Sequence, residues 1–312
     1  MFFGIQPLRS KLRIFAAAIL VWFFAFSGTL AASERLPWLA YYSTDIQGRD
    51  FSAYRLLVFD SEYHPPLYPF QKRDSTVLGY LSLGEMENFR PYFSDVQKQG
   101  LLVSKNPNWK DSYYVDIRDP RWAARMIEDI IPRILEQGFD GILMDTLDSA
   151  LFLETQNPKK YGGMKKAATQ LVRSIRLHYP NISLAMNRAY PILPEVEHLL
   201  DYELAESVYG DYDFINQTYS PTPGAQAKRQ VEMLQRAQAR RPGLTILTLD
   251  YWNPSDHRGI QRLYDKQRAN GFQAYVGTIN LDQIVLRGST ETHSSQPDGI
   301  LSRLFHILSM ND

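Results

Sequence analysis

Gly138-Phe139-Asp140-Gly141-Ile142-Leu143-Met144-Asp145-Thr146-Leu147-Asp148 is the stretch that decides how this chain folds. Gly138 stops a long amphipathic segment, Gly141 to Met144 form a short apolar run, and Asp145 sets a carboxylate where that run ends. An apolar run without alternation suits a strand covered on both faces, as in a parallel sheet wrapped by helices.

The same unit recurs in both directions. Upstream, Asp119-Pro120 reads as an N-cap aspartate followed by proline at the first helical position. Met126, Ile127, Ile130, Ile131, Ile134 and Leu135 then recur at helical spacing, and Pro132 is predicted to kink or split the helix spanning 120–137. Further helices are predicted over 164–179, 225–241 and 256–270. Strand candidates cover 38–43, 56–60, 77–83, 113–117, 141–145, 183–187, 202–207, 244–250 and 273–278. Short strands alternating with longer helices predict a parallel α/β architecture, here a single (β/α)8 TIM barrel. Nine candidates compete for eight places. The run 113–117 is set aside as feeding the helix at Pro120 from outside the barrel.

The first thirty-two residues stand apart. Arg9, Lys11 and Arg13 precede a 13-residue uncharged run, Ile14 to Phe26, and Ser27-Gly28-Thr29-Leu30-Ala31-Ala32 supplies small residues for cleavage. This is the pattern of an export signal over 1–32, leaving 33–312 as the barrel domain in the periplasm or outside the cell. An uncleaved N-terminal anchor is the other reading, although the run is shorter than the roughly 20 residues a membrane span needs.

Thirty-four basic residues balance thirty-four acidic ones. Nothing suggests a nucleic-acid surface, and removal of the leader tips the balance to mildly acidic, a weak attraction for a cationic substrate. With no cysteine in the chain, disulfides, zinc–thiolate sites and cysteine nucleophiles are excluded. The six histidines, His64, His178, His198, His257, His293 and His306, show no metal-ligand spacing, and neither a phosphate loop nor a Gly-x-Ser-x-Gly elbow occurs. No cofactor or metal is expected.

Active sites of such barrels lie at the C-terminal ends of the strands. Those ends carry Asp60, Asp145, Asn187, Glu206 and Asp250-Tyr251, with Glu85 just beyond its strand. Two carboxylates flanking a cleft hydrolyse a glycosidic bond without metal or cofactor. Nineteen tyrosines and five tryptophans offer rings to stack on sugars. Asp148 competes with Asp145, as a cap or in the same role. Glu203 competes with Glu206, but residues three apart on a strand face opposite ways, so only one of them faces the axis.

Leu78-Gly79-Tyr80-Leu81-Ser82-Leu83-Gly84-Glu85, the 138–148 stretch, Glu206-Ser207-Val208-Tyr209 and Leu249-Asp250-Tyr251, with Tyr114-Val115-Asp116-Ile117-Arg118-Asp119, resemble the successive motifs of glycoside hydrolase family 114. The resemblance runs from about Trp38 to Ile284. It implies endo-α-1,4-polygalactosaminidase activity on cationic, partly deacetylated galactosamine-containing exopolysaccharide of biofilm type. It places the family's catalytic Asp on Asp145, as nucleophile, and its Glu on Glu206, as general acid and then base in a retaining reaction. Asp60, Tyr80, Glu85, Asp148, Asn187, Asp250 and Tyr251 are the candidate substrate contacts. Some relatives carry a fused deacetylase. With this chain ending at Asp312, deacetylation is not expected. The competing function is a non-catalytic exported sugar-binding barrel.

Overall fold

The structure is a computed structural model, which describes Met1 and residues 36–285 apart from 108 and 110. Apart from Met1, the predicted export segment 1–32 lies outside the described residues, as does the tail 286–312. The chain divides into a short unit, Met1–Glu34, and a large one, Arg35–Asp312. No described helix is long and apolar enough to cross a membrane.

Eight strands make the barrel of the large unit: β1 (Trp38–Tyr41), β2 (Leu56–Asp60), β3 (Thr76–Ser82), β4 (Gly141–Asp145), β5 (Ser183–Asn187), β6 (Tyr202–Glu206), β7 (Thr245–Tyr251) and β8 (Gln273–Gly277). They stand in chain order, each pair of neighbours parallel. Individual bonds join β8 to β1. Tyr42 N donates to Leu281 O at 2.7 Å, Trp38 Nε1 donates to Gln273 O at 2.9 Å, and the Trp38 and Tyr275 rings meet edge-on at 5.8 Å. The result is the predicted (β/α)8 barrel, nearly closed.

β2, β4 and β5 run between the residues the apolar pattern predicts, and the other five differ by one or two residues at an end. The set-aside run also lies outside the barrel, but it does more than lead into a helix. Ser112–Val115 is the centre of a three-stranded antiparallel sheet with Glu85–Glu87 and Leu102–Lys105, inserted between β3 and the helix at Pro120. The segment 120–136 is split as Pro132 predicts. Helix Pro120–Arg125 passes through a π turn, Met126–Ile130, into helix Ile131–Glu136. Proline offers no N–H and its ring crowds the preceding turn, so the backbone widens there, with Ile131 N–H bonding back to Met126 O.

Register sets the mouth. Gly141 pairs with Leu78 of β3 and Ser183 of β5, which puts Asp145 beside Ser82. Asn187 pairs with Leu204, and Glu206 with Leu249. Parallel strands end at the same rim, so Asp145, Asn187 and Glu206 finish three consecutive strands at one mouth. Gly141 is required by close approach, because a Cβ there would lie 1.9 Å from Ser183 O. Gly84 is required likewise, with its Cβ position 2.1 Å from Thr146 O, where the end of β3 folds over that of β4. Beneath the mouth the core is continuous. Trp38, Leu57, Phe59, Leu78, Ile142, Leu184 and Leu247 are all 0–1 % exposed, each such burial being worth roughly 1.5–3 kcal/mol.

Gly141→Ala is expected to lower stability by about 1–3 kcal/mol through overpacking between β4 and β5. Urea unfolding with an unchanged slope checks this, and wild-type stability in the variant would refute the close-approach reading.

Candidate active site

Asp145 and Glu206 both remain partly open to solvent while being walled by protein. Asn187 Nδ2 donates to Asp145 Oδ1 at 2.8 Å, and the Tyr80 hydroxyl and Thr146 N–H also bond this carboxylate. Burial, and then the charge of Asp148, push the Asp145 carboxyl up to about 6 against the pull of those donors. Burial, and then the charge of Asp145 itself, push Glu206 up to about 7, with Arg188 and a hydrogen bond from Tyr251 pulling the other way. Burial thus raises both carboxyls, the charge of Asp145 raises Glu206 further, and the one with fewer donors holds its proton to higher pH.

The backbone behind them is strained. Thr146, Arg188 and Ser207, each the first residue after β4, β5 and β6, have positive φ of 62°, 57° and 53°, and Ala189 follows at 45°. Left-handed conformations of non-glycine residues cost about 1–3 kcal/mol each and gather at functional sites. Here they turn the chain sharply out of three adjacent strands at the mouth. Thr146 is pinned as it turns: its Oγ1 accepts from Gly84 N at 2.9 Å and meets Ser82 Oγ at 2.7 Å.

The remaining candidates separate into three sets. Tyr80, Asn187 and Tyr251 bond the two carboxylates, as above. Asp148 lies in the first turn of helix Leu147–Gln156 and pairs with Arg188 at 3.6 Å, both side chains more than a third exposed. Asp60, Glu85 and Asp250 have oxygens that the protein itself occupies. Arg90 donates to both Asp60 oxygens, at 3.0 and 2.8 Å, with Arg90 and Asp60 both buried. Glu85 lies just beyond β3, as the sequence places it. It opens the small antiparallel sheet and accepts from Asn106 Nδ2, Ser112 Oγ at 2.6 Å and Ser149 Oγ at 2.5 Å. Asp250 is 0 % exposed and accepts from Tyr209 N, Gly210 N and Gln267 Nε2 at 2.7, 3.0 and 2.7 Å.

Glu203 is 0 % exposed and has no hydrogen-bond partner among the described residues. Burial pushes its pKa well up, and without exposed surface it is out of reach of a substrate, which leaves Glu206 as the glutamate of β6 at the mouth. Three site residues carry no signal in the sequence. Arg188 follows Asn187 on a turn no pattern predicts. Tyr42 packs on Tyr80 at 5.5 Å between ring centres, and its hydroxyl is pushed up by burial and by the charges of Asp145 and Glu206. Arg90 lies over the Tyr80 ring at 5.7 Å, so the Asp60–Arg90 pair supports a tyrosine that bonds Asp145. Among the described residues no group of three His, Asp or Glu side chains gathers to hold a metal ion. The arrangement is suited to proton transfer and nucleophilic attack by carboxyl groups of unequal acidity.

The family model of glycoside-hydrolase family GH114 matches residues 33–293. Among curated proteins, an uncharacterized protein of Deinococcus radiodurans is 27% identical over 216 residues, covering 67% of this chain and 66% of its own. One of Thermotoga maritima is 24% identical over 220 residues, covering 66% of each. The matched region therefore spans 66% of the length of these relatives. Among solved structures, the glycoside hydrolase domain of PelA from Pseudomonas aeruginosa aligns with a TM-score of 0.71 at 22% identity over 80% of this chain and 97% of that one. Aspergillus fumigatus Ega3, in complex with galactosamine, aligns with a TM-score of 0.59 at 18% identity over 80% and 94%. At these identities the two structures share the fold.

Asp60→Asn is expected to destabilise the protein by about 1.5–3 kcal/mol, because Arg90 loses one of its two carboxylate partners and keeps Glu87 at 3.2 Å; chemical denaturation measures it, and a surface-like loss below about 0.5 kcal/mol would show the pair to be idle. Glu206→Gln is expected to do the opposite. A carboxyl with a raised folded pKa binds its proton more tightly when folded, so wild-type stability falls as pH rises from about 4.5 to about 7. The glutamine variant lacks that loss. It should melt with wild type at pH 4 and above it at pH 8, and a gap that fails to widen with pH would contradict the raised pKa.

Proposed function

Because this chain belongs to glycoside-hydrolase family GH114, we propose that it cleaves α-1,4-linked, galactosamine-rich exopolysaccharide within the chain, with Asp145 as nucleophile and Glu206 as general acid and then base. The observation that carries the reading is the unequal hydrogen bonding of the pair. Three donors serve Asp145, whereas Glu206 receives a hydrogen bond from Tyr251 and faces the charge of Asp145. An ionised Asp145 attacks the anomeric carbon while Glu206 passes its proton to the departing glycosidic oxygen. Ionised Glu206 then takes a proton from water, whose oxygen displaces Asp145 from the sugar. Both bonds exchange on the same carbon, so configuration is retained.

A cationic amino sugar suits the charge around the pair, where Asp145, Asp148 and Glu206 outnumber Arg188. The Ega3 structure was solved with galactosamine, which supports the same class. The leader pattern over 1–32 supports export to the periplasm or beyond, where such polymer is met.

The test is reducing-end release from partly deacetylated galactosamine polymer by wild type, Asp145→Asn and Glu206→Gln. Each variant should lose roughly 10²-fold or more, the scale of acid–base contributions. The wild-type rate should peak between the two limbs of the pair, about 6 and about 7. Retained binding with no release by any of the three would make the protein a sugar-binding barrel.

A further inference from the structure

Two excursions leave the C-terminal mouth and meet. One, between β3 and the helix at Pro120, contains the sheet Glu85–Glu87, Leu102–Lys105 and Ser112–Val115. The other is the hairpin Gly210–Asp213 and Thr218–Pro221 after β6. Buried carboxylates hold both at their bases: Glu85 ties the first to Ser149, beyond β4, and Asp250 of β7 ties the second through Tyr209 N and Gly210 N. The tips touch through rings. Trp109 packs on Phe214 with centroids 5.0 Å apart and planes at 74°, and Phe214 packs on Tyr212 at 5.2 Å. Phe214 is still 45% exposed, and its neighbour Ile215 93%.

Order in the barrel gives this contact its meaning. β3 and β6 flank β4 and β5, so the ring pair joins the rim on either side of Asp145 and Asn187. We propose that Trp109 and Phe214 form a latch across the cleft, which parts to admit the middle of a polysaccharide chain and closes to retain it between cuts. The proposal rests on the polysaccharide-hydrolase reading above. A long polymer has no end within reach, so an enzyme cutting inside it needs an opening from the side, and a bridge held at its tips by aromatic contact supplies one. An edge-to-face ring pair favours the closed form by only roughly two- to tenfold, weak enough to open unaided and strong enough to slow escape. Covalently joined tips would not open, and separated tips would hold nothing. The latch is thus a determinant of chain length and of the number of cuts made in one encounter.

The chain has no cysteine, so Trp109→Cys with Phe214→Cys offers two unique thiols for a short, reducible cross-linker. The cross-linked enzyme should lose cleavage of long galactosamine polymer, keep its rate on a short soluble oligosaccharide of the same sugar, and recover the polymer on reduction. Polymer cleavage undiminished by the cross-link, or equal loss on both substrates, would overturn the latch. A second measurement separates its fate from that of the hydrolase reading. In the Glu206→Gln background, Trp109→Ala and Phe214→Ala should release bound polymer roughly two- to tenfold faster, the factor by which the ring pair favours closure. Unchanged release overturns the latch alone. Faster release together with no turnover by wild type overturns the hydrolase reading alone.

Discussion

Two carboxyl groups that repel each other share one poorly solvated barrel mouth, and the surrounding structure is arranged around that repulsion. Water would relieve it, but Tyr42, Tyr80 and Tyr251 wall the pair, and burial is the largest influence on both acidities. What remains is an unequal distribution of donors. Asn187, Tyr80 and the Thr146 N–H favour charge on Asp145, whereas Glu206 has Tyr251 and the partial compensation of Arg188. The two acids differ in their neighbours, and their neighbours come from strands and turns throughout the barrel.

Holding such a pair needs a frame that does not relax. Left-handed turns directly after β4, β5 and β6 store strain that a loosely packed rim would release. They persist because register, the close approaches at Gly141 and Gly84, and the Thr146 hydroxyl fix the chain on either side. The buried acids Asp60, Glu85 and Asp250 serve the same frame. Each spends its charge on donors within the protein, gathering Arg90 beneath Tyr80, the inserted sheet beside β4, and the hairpin beside β6. A carboxylate at a barrel rim thus acts as a structural tie or as a reactive group depending on whether its oxygens are already occupied.

The eight strands, their parallel order and the split helix at Pro132 were legible in the sequence because they depend on near neighbours: apolar runs of strand length, caps, and a proline without its N–H. Asp145, Asn187 and Glu206 were legible for the same reason, as polar residues ending apolar strands. Which strand-end acids stay open was not legible. Asp60 and Asp250 end strands just as Asp145 does, yet Arg90 is 30 residues from Asp60 and Gln267 is 17 from Asp250, separations at which no periodicity links one residue to its partner. Arg188 and Tyr42 enter the site, and Trp109 meets Phe214, by the same long-range closure.

By itself, then, the sequence determined the barrel, the mouth at which chemistry could occur, and the residue types offered there, all consequences of interactions within a few positions along the chain. Only the tertiary structure decided which carboxylates are tied, which face each other unpaired, and how two distant loops meet across the rim. Those outcomes depend on which atoms are brought together after the barrel closes, and desolvation, charge repulsion and hydrogen bonding act on atoms in space rather than on their order in the chain.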